Sequence, residues 1–369
     1  MVFPFLPALA RGLGVPVESV ALAVSARSAL GMIGPPLGAI ADMRGRKQAL
    51  VGGLLLFGVS LALVGIWPSH AIFFIGLVIS GGATVVIDSS IHAYLGDRIP
   101  YMERGRATAI VELGWSLAFV IGIPLVGWSM AHSSWSTPFI WLGLFGLMAG
   151  GLIGLILPRT APISGTWEEL RGGLRQIFAL SPLFGLLLAM LMTFGNQMIS
   201  IVFGIWMEDS FGLQLEQLGV ASIVIGLAGL VGVGCAVLFT DRLGKRLAIG
   251  LGLVVNSAIC LVLPILVNNL WGALAALFIF FLSFEFGLTS LLPLMTTLST
   301  QARGVFMAAT LAALSLGDAL GALLGPLLIH SGLIANVLGT VAINLSGLII
   351  LVLFVRPMNM TQQTIEQVK

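Results

Sequence analysis

Charge is what this sequence has least of. Only 9% of its 369 residues are Asp, Glu, Lys or Arg, against roughly 25% in soluble globular domains, so a water-soluble fold is excluded. Cysteine is scarce too. Cys235 and Cys260 lie in separate apolar stretches without the paired spacing of a zinc site or a disulfide framework. The 17 basic and 15 acidic residues leave a formal charge of +2 and form no basic stripe, which excludes a nucleic-acid partner. No glycine-rich loop ends in Gly-Lys-Ser or Gly-Lys-Thr, so the chain lacks the phosphate cradle that ATP hydrolysis needs. Neither a metal nor a cofactor is expected.

What the chain has instead is apolar length. Hydrophobic residues make up 58% of it, the mean hydropathy is +1.09, and runs of 18 or more apolar residues recur from end to end, the pattern of a transmembrane helix bundle. Eleven spans are predicted, starting near Val17, Gln48, Ala71, Ala107, Pro138, Pro182, Leu218, Leu247, Leu270, Val305 and Leu333. The opening stretch Met1 to Ala10 reads as the end of a further helix, since ten helical residues cover only about 15 Å of a core about 30 Å thick. Fifteen of the 17 basic residues fall on alternate connections or in the tail. By the positive-inside rule those connections, near residues 42–47, 97–106, 158–180, 241–246 and 299–304, and the C-terminus are expected to be cytoplasmic.

Shifting the chain by 199 residues reveals a repeat. Asp42 meets Asp241, Gly45 meets Gly244, Arg46 meets Lys245, Lys47 meets Arg246, Arg104 meets Arg303, Gly105 meets Gly304 and Gly122 meets Gly321. The organisation expected is a duplicated bundle: residues 1–157, a cytoplasmic linker 158–181, residues 182–356, and a tail 357–369. By the same shift about 17 residues of the first helix are expected to be missing. Trp167, Leu170, Leu174, Ile177 and Phe178 stand at helical spacing in the linker, either as a short helix on the membrane surface or as part of a plain tether.

Gly38-Ala-Ile-Ala-Asp42-Met-Arg-Gly45-Arg46-Lys47 follows the second span. Here the chain resembles the major facilitator superfamily of secondary transporters, whose signature joins helices two and three with this pattern. The second copy, Asp241-Arg-Leu-Gly244-Lys245-Arg246, keeps the charges but has Val237 in place of the leading glycine. The resemblance implies an all-α polytopic membrane protein of two pseudo-symmetric six-helix bundles. It also implies a cytoplasmic latch in which Asp42 faces a helix N-terminus and Arg46 meets a carboxylate such as Asp97. The alternative is that these charges only fix topology.

Ionisable residues inside spans cost on the order of 2.5–3.5 kcal/mol each even on lenient insertion scales. Arg27, Asp88, Glu112, Glu285 and Asp318 are such residues. The resemblance assigns them to helices two, four, five, ten and eleven, with four and ten lining the cavity and two, five, eight and eleven forming the seam between halves. Asp88 and Glu285 match within two residues under the repeat shift. Either can take and release a proton, because desolvation favours the neutral form of a carboxylate, or can serve as a permanently paired structural group. Arg27 and Asp318 are expected to pair across the seam.

Other polar residues leave two readings each. Asn196 and Gln197 contact either solute or a neighbouring helix; His92 either shares a proton with Asp88, four residues earlier, or is structural. Gly317, Gly321 and Gly325-Pro326 form a small-residue ridge, and Gly122-Ile-Pro124-Leu-Val-Gly127 resembles the antiporter motif of drug-efflux members with one isoleucine intervening. His70, His132 and His330 lie near outer helix ends without ligand spacing. The function expected is a secondary transporter in the inner or plasma membrane, moving a small solute by alternating access, proton-coupled and monomeric, with the antiporter-like stretch pointing to export and import left as the alternative. The rival is a membrane sensor or assembly factor on the same scaffold. An enzyme built on Asp88 and His92 lacks a nucleophile and oxyanion donors.

Overall fold

The computed structural model describes residues 2–34, 45–98, 111, 114–158, 180–266, 268–298 and 303–355, and every regular element among them is helical. In lipid a chain must satisfy its backbone polar groups internally, and among open-ended elements only a helix does so. The helices are α1 (Leu6–Leu13, after a tight turn at Phe3–Phe5), α2 (Val17–Ala29, running on as a 3₁₀ turn Leu30–Ile33), α3 (Arg46–Ile66), α4 (His70–Arg98), α5 (Gly114–His132), α6 (Thr137–Ile156), α7 (Leu180–Phe211), α8 (Leu215–Leu243, interrupted at Ser222), α9 (Lys245–Val262), α10 (Leu270–Leu298), α11 (Arg303–Ile329) and α12 (Leu333–Leu353). Ten of them, α3 to α12, are long and apolar enough to cross a membrane. Their outer faces are bare hydrocarbon: Trp271 is 79% exposed and Leu155 86%, a surface suited only to lipid.

The duplication is visible in the backbone. Gly45 and Gly244, aligned by the 199-residue shift, open α3 and α9 at φ 92°, ψ 131° and φ 84°, ψ 137°. Both lie where a side chain is strained, which is why glycine stands in both copies of the motif. α1 and α7 likewise end at Gly14 and Gly212, with φ 66° and 62°.

Within the first half α3 packs on α4 and α6, and α2 on α4; within the second, α9 packs on α10 and α12, α8 on α10, and α7 on α11 and α12. The halves meet where α2 crosses α11, where α5 crosses α8, and where the start of the chain lies on α7. Glycine sets the closeness of several contacts. The ridge Gly317, Gly321 and Gly325 faces α7, where an added Cβ would collide with the Met190 carbonyl, sit 2.6 Å from Gln197 Cβ, or collide with Ile201. That ridge therefore holds the second half together and does not lie on the seam. On α5 Gly127 is the tight position, its added Cβ 2.6 Å from the Leu215 carbonyl oxygen, whereas Gly122 has only Ala118 Cβ at 3.9 Å. Just before Pro124 the helix widens into a π-turn, Ala118–Gly122, as expected where proline removes a donor and crowds the preceding turn.

The second half also contains a polar ladder that the hydropathy pattern does not announce. Asn256 Nδ2 donates to the Phe280 carbonyl at 2.8 Å and to Ser283 Oγ at 3.2 Å, while Asn344 Nδ2 donates to Asn256 Oδ1 at 2.8 Å. Asn336 Nδ2 donates to the carbonyls of Met198 (3.1 Å) and Gly325 (3.0 Å), and Thr340 Oγ1 to that of Gly195 (3.3 Å). α12 is thus fastened to α7, α9 and α11. A buried interhelical hydrogen bond in a membrane bundle averages about 0.6 kcal/mol and reaches about 1.7. Asn344→Leu is expected to cost about 1 kcal/mol, and Asn256→Leu added to it less than the sum of the single losses. Unfolding of the four members of that cycle in detergent measures it; strict additivity would mean the two asparagines do not interact.

Candidate functional site

Arg27 lies on α2 where that helix is pressed between its own half and the other. An added Cβ on Gly81 of α4 would sit 2.7 Å from both Arg27 Cγ and the Arg27 carbonyl oxygen, so the side chain's stem lies directly over α4. On the other flank Ser25 Oγ donates to the Ala319 carbonyl of α11 at 2.7 Å, and an added Cβ on Gly31 would collide with Ser315 Oγ. The guanidinium lies within Coulombic reach of Asp88 on α4 and of Asp318 on α11. One cation of the first half therefore lies within electrostatic reach of an acid from each half. Asp88 is exposed, while Arg27 and Asp318 are half-buried.

The duplicated position is apolar. Shifted by 199, Arg27 falls on Gly226 and Asp318 on Phe119, and these also touch: an added Cβ on Gly226 of α8 lies 2.7 Å from Phe119 Cβ of α5. Glu285, the counterpart of Asp88, packs against α8 instead. Added Cβ atoms on Gly232 and Gly229 would lie 2.8 Å from Glu285 Cβ and 3.9 Å from Glu285 Cγ.

The remaining candidates separate. On α7, Asn196 Nδ2 donates to Ser200 Oγ at 3.4 Å and its buried Oδ1 has no hydrogen-bond partner among the described residues. Gln197 packs its stem against Gly321, which is a helix contact. In the second copy of the motif Arg246 Nη2 donates to the Leu351 and Val352 carbonyls at 2.9 and 3.1 Å, and Lys245 Nζ to that of Pro293 at 3.4 Å. Arg246 thus caps the C-terminal end of α12, where the helix dipole favours a cation; Asp241 is exposed. Arg46 and Lys47 open α3. Gly38, Asp42, Glu112 and the linker helix lie outside the described residues, as do the side chains of His92 and Asp97.

Three contacts between ionisable side chains, at the end of the bundle away from the basic connections and so expected to face outward, also join the halves. Arg11 Nη1 meets Glu208 Oε1 at 2.6 Å, His132 Nδ1 meets Glu216 Oε1 at 3.2 Å, and His330 Nε2 meets Glu18 Oε1. Neither histidine has the spacing of a metal ligand. The signal was in the repeat, since a shift of 198 carries His132 to His330 and Glu18 to Glu216.

The sequence profile of the Major Facilitator Superfamily matches residues 1–322. Among curated proteins the chain is 26% identical over 380 residues to an uncharacterized MFS-type transporter, YwfA, of Bacillus subtilis, covering 100% of this chain and 90% of that one. It is 22% identical over 364 residues to the quinolone resistance protein NorA of Staphylococcus aureus, covering 96% and 92%. Among solved structures, a bacterial homolog of the human lysosomal transporter Spinster, in an inward-facing and unoccupied conformation, superposes with a TM-score of 0.73 at 14% identity over 95% of this chain and 90% of that one. A profile match over most of the chain, on a duplicated helical bundle of this topology, makes the chain a multi-pass membrane transporter belonging to the Major Facilitator Superfamily.

Proposed function

We propose that the chain exports a small, largely apolar solute across the plasma membrane by alternating access, driven by protons moving inward, with its C-terminus cytoplasmic. One observation carries this reading: Arg27 lies within electrostatic reach of Asp88 from its own half and of Asp318 from the other. A guanidinium inside a membrane span left without a carboxylate is costly, so any motion at the α2–α11 crossing must keep one acid near Arg27. Adding a proton to one aspartate leaves the other as its partner. Protonation and relative position of the halves are thereby linked. Likeness to a quinolone resistance protein supports a drug-sized solute and the outward direction. The driving force is adequate, since one charge moved through the membrane potential supplies about 2.3 kcal/mol per 100 mV. Protons and solute are the partners, and a monomer suffices because both halves reside in one chain.

Transport of a dye and metabolite panel in proteoliposomes with an imposed pH gradient tests it. Asp88→Asn and Glu285→Gln, which remove the two pseudo-symmetric acids, are each expected to lower gradient-driven flux at least about tenfold, a loss of about 1.4 kcal/mol. Bound solute without flux in the unaltered protein would favour a sensor instead.

The seam pair has its own test. Asp318→Asn and Arg27→Ala should each cut flux by at least about fivefold, and the exchange Arg27→Asp with Asp318→Arg should restore part of it, since an ion pair left half made is worse than one reversed. Single variants as active as the parent would remove Arg27 and Asp318 from the mechanism.

A further inference from the structure

We propose that His132–Glu216 and His330–Glu18 are a matched pair of proton-operated latches that hold the outer end of the transporter shut when the outer medium is acidic. Each spans the outer end of one crossing between halves. His132 closes α5 and Glu216 lies in the first turn of α8; His330 follows α11 and Glu18 lies in the first turn of α2. The duplication relates the two pairs to each other at a shift of 198, so both seams end in the same chemistry although their middles differ. The groups are open to the outer solution, with side-chain exposures of 56% and 49% in one pair and 68% and 32% in the other. His132 is held in place by its own helix: Nδ1 also faces the Trp128 carbonyl at 3.0 Å, and its ring lies 4.9 Å from that of Trp128.

Histidine makes the contact conditional. A protonated imidazole meets the carboxylate as a cation and the halves attract; a neutral imidazole carries no charge and the attraction is lost, and histidine is the side chain whose charge changes most readily near neutral pH. The other charged or titratable side chains at this end are Arg11, His70, Glu208 and Asp209 among the described residues. Arg11 pairs with Glu208, beside which Asp209 stands; that contact contains no histidine and so does not depend on an imidazole proton. Closure of the outer end by outside protons favours return to the inward-open state. The device rests on the alternating-access reading above.

The test is a distance between spin labels at Ser69→Cys and Asn268→Cys, repeat mates on the α3–α4 and α9–α10 connections, in full-length protein in nanodiscs with Cys235→Ser and Cys260→Ala. Two distance populations are expected, with the closed share growing roughly two- to twentyfold from pH 8 to pH 5.5, as two exposed pairs allow. His132→Gln with His330→Gln should abolish that dependence and leave the outer end more open at pH 5.5; His132→Lys with His330→Lys should hold it closed at both pH values, which separates a latch from a folding defect; His70→Gln should change nothing. Two populations whose pH dependence survives in the double glutamine variant would overturn the latch and leave alternating access standing. One population in every variant at every pH would overturn alternating access itself, and the latch with it.

Discussion

Two helix crossings, α2 on α11 and α5 on α8, join the halves through the body of the bundle, and everything else in the structure is arranged around how closely they approach. In lipid there is no hydrophobic force to press helices together. Close approach has to come from small residues and from backbone meeting backbone. Gly219 and Gly226 of α8 bring that helix against α5 so tightly that an added Cβ would lie 3.0 Å from Pro124 Cα or 2.7 Å from Phe119 Cβ. On the other side Gly31 and the Ser25 hydroxyl bring α2 equally close to α11. Such surfaces are smooth, with few interlocking side chains. They are stiff against separation and comparatively free to slide or tilt.

Within the second half the opposite holds. The glycine ridge of α11 is locked into α7, and the asparagine ladder ties α12 to α7, α9 and α11 by directional bonds. Rearranging that half would leave buried amides without partners in hydrocarbon, whereas among the described residues shifting the halves breaks the Ser25 hydroxyl bond at the α2–α11 crossing and the exposed pairs at the outer end and alters the distance of Arg27 from Asp318. The distribution of hydrogen bonds thus marks the second half as a rigid body, which is the mechanical requirement of the rocking motion proposed here.

Much of this was legible in the sequence because membranes impose coarse rules. Run length located the spans, and Asp42 with its copy Asp241 exposed the duplication. Charges in a span are so costly that Arg27, Asp88 and Asp318 stood out unaided, and the structure brings those three to one place. Less legible was which neighbour each face meets. Gly317, Gly321 and Gly325 read as a packing ridge, but nothing in their spacing said that α7 was the partner. Asn256, Asn336 and Asn344 were invisible, because a lone asparagine hardly lowers the hydropathy of a 20-residue window and its bond depends on a helix far away in sequence. The outer histidines were overlooked for a different reason: sought as metal ligands, they lacked spacing, while their meaning lies in pairing across the repeat.

Comparing the two seams shows what duplication kept and what it changed. At mid-depth the copies have diverged fully, with Arg27 facing Asp318 on one side and Gly226 against Phe119 on the other. At the outer end they have not, and a histidine faces a glutamate on both sides. The energetics differ in the same way. Inside the membrane a second arginine and acid would add another large desolvation cost and a second path for charge, and the second seam is apolar there. At the water's edge an ion pair is inexpensive and weak, and one pair alone would tilt the halves rather than close them. Closure that acts evenly on two crossings needs the same contact on both, which is the arrangement the chain has at its outer end.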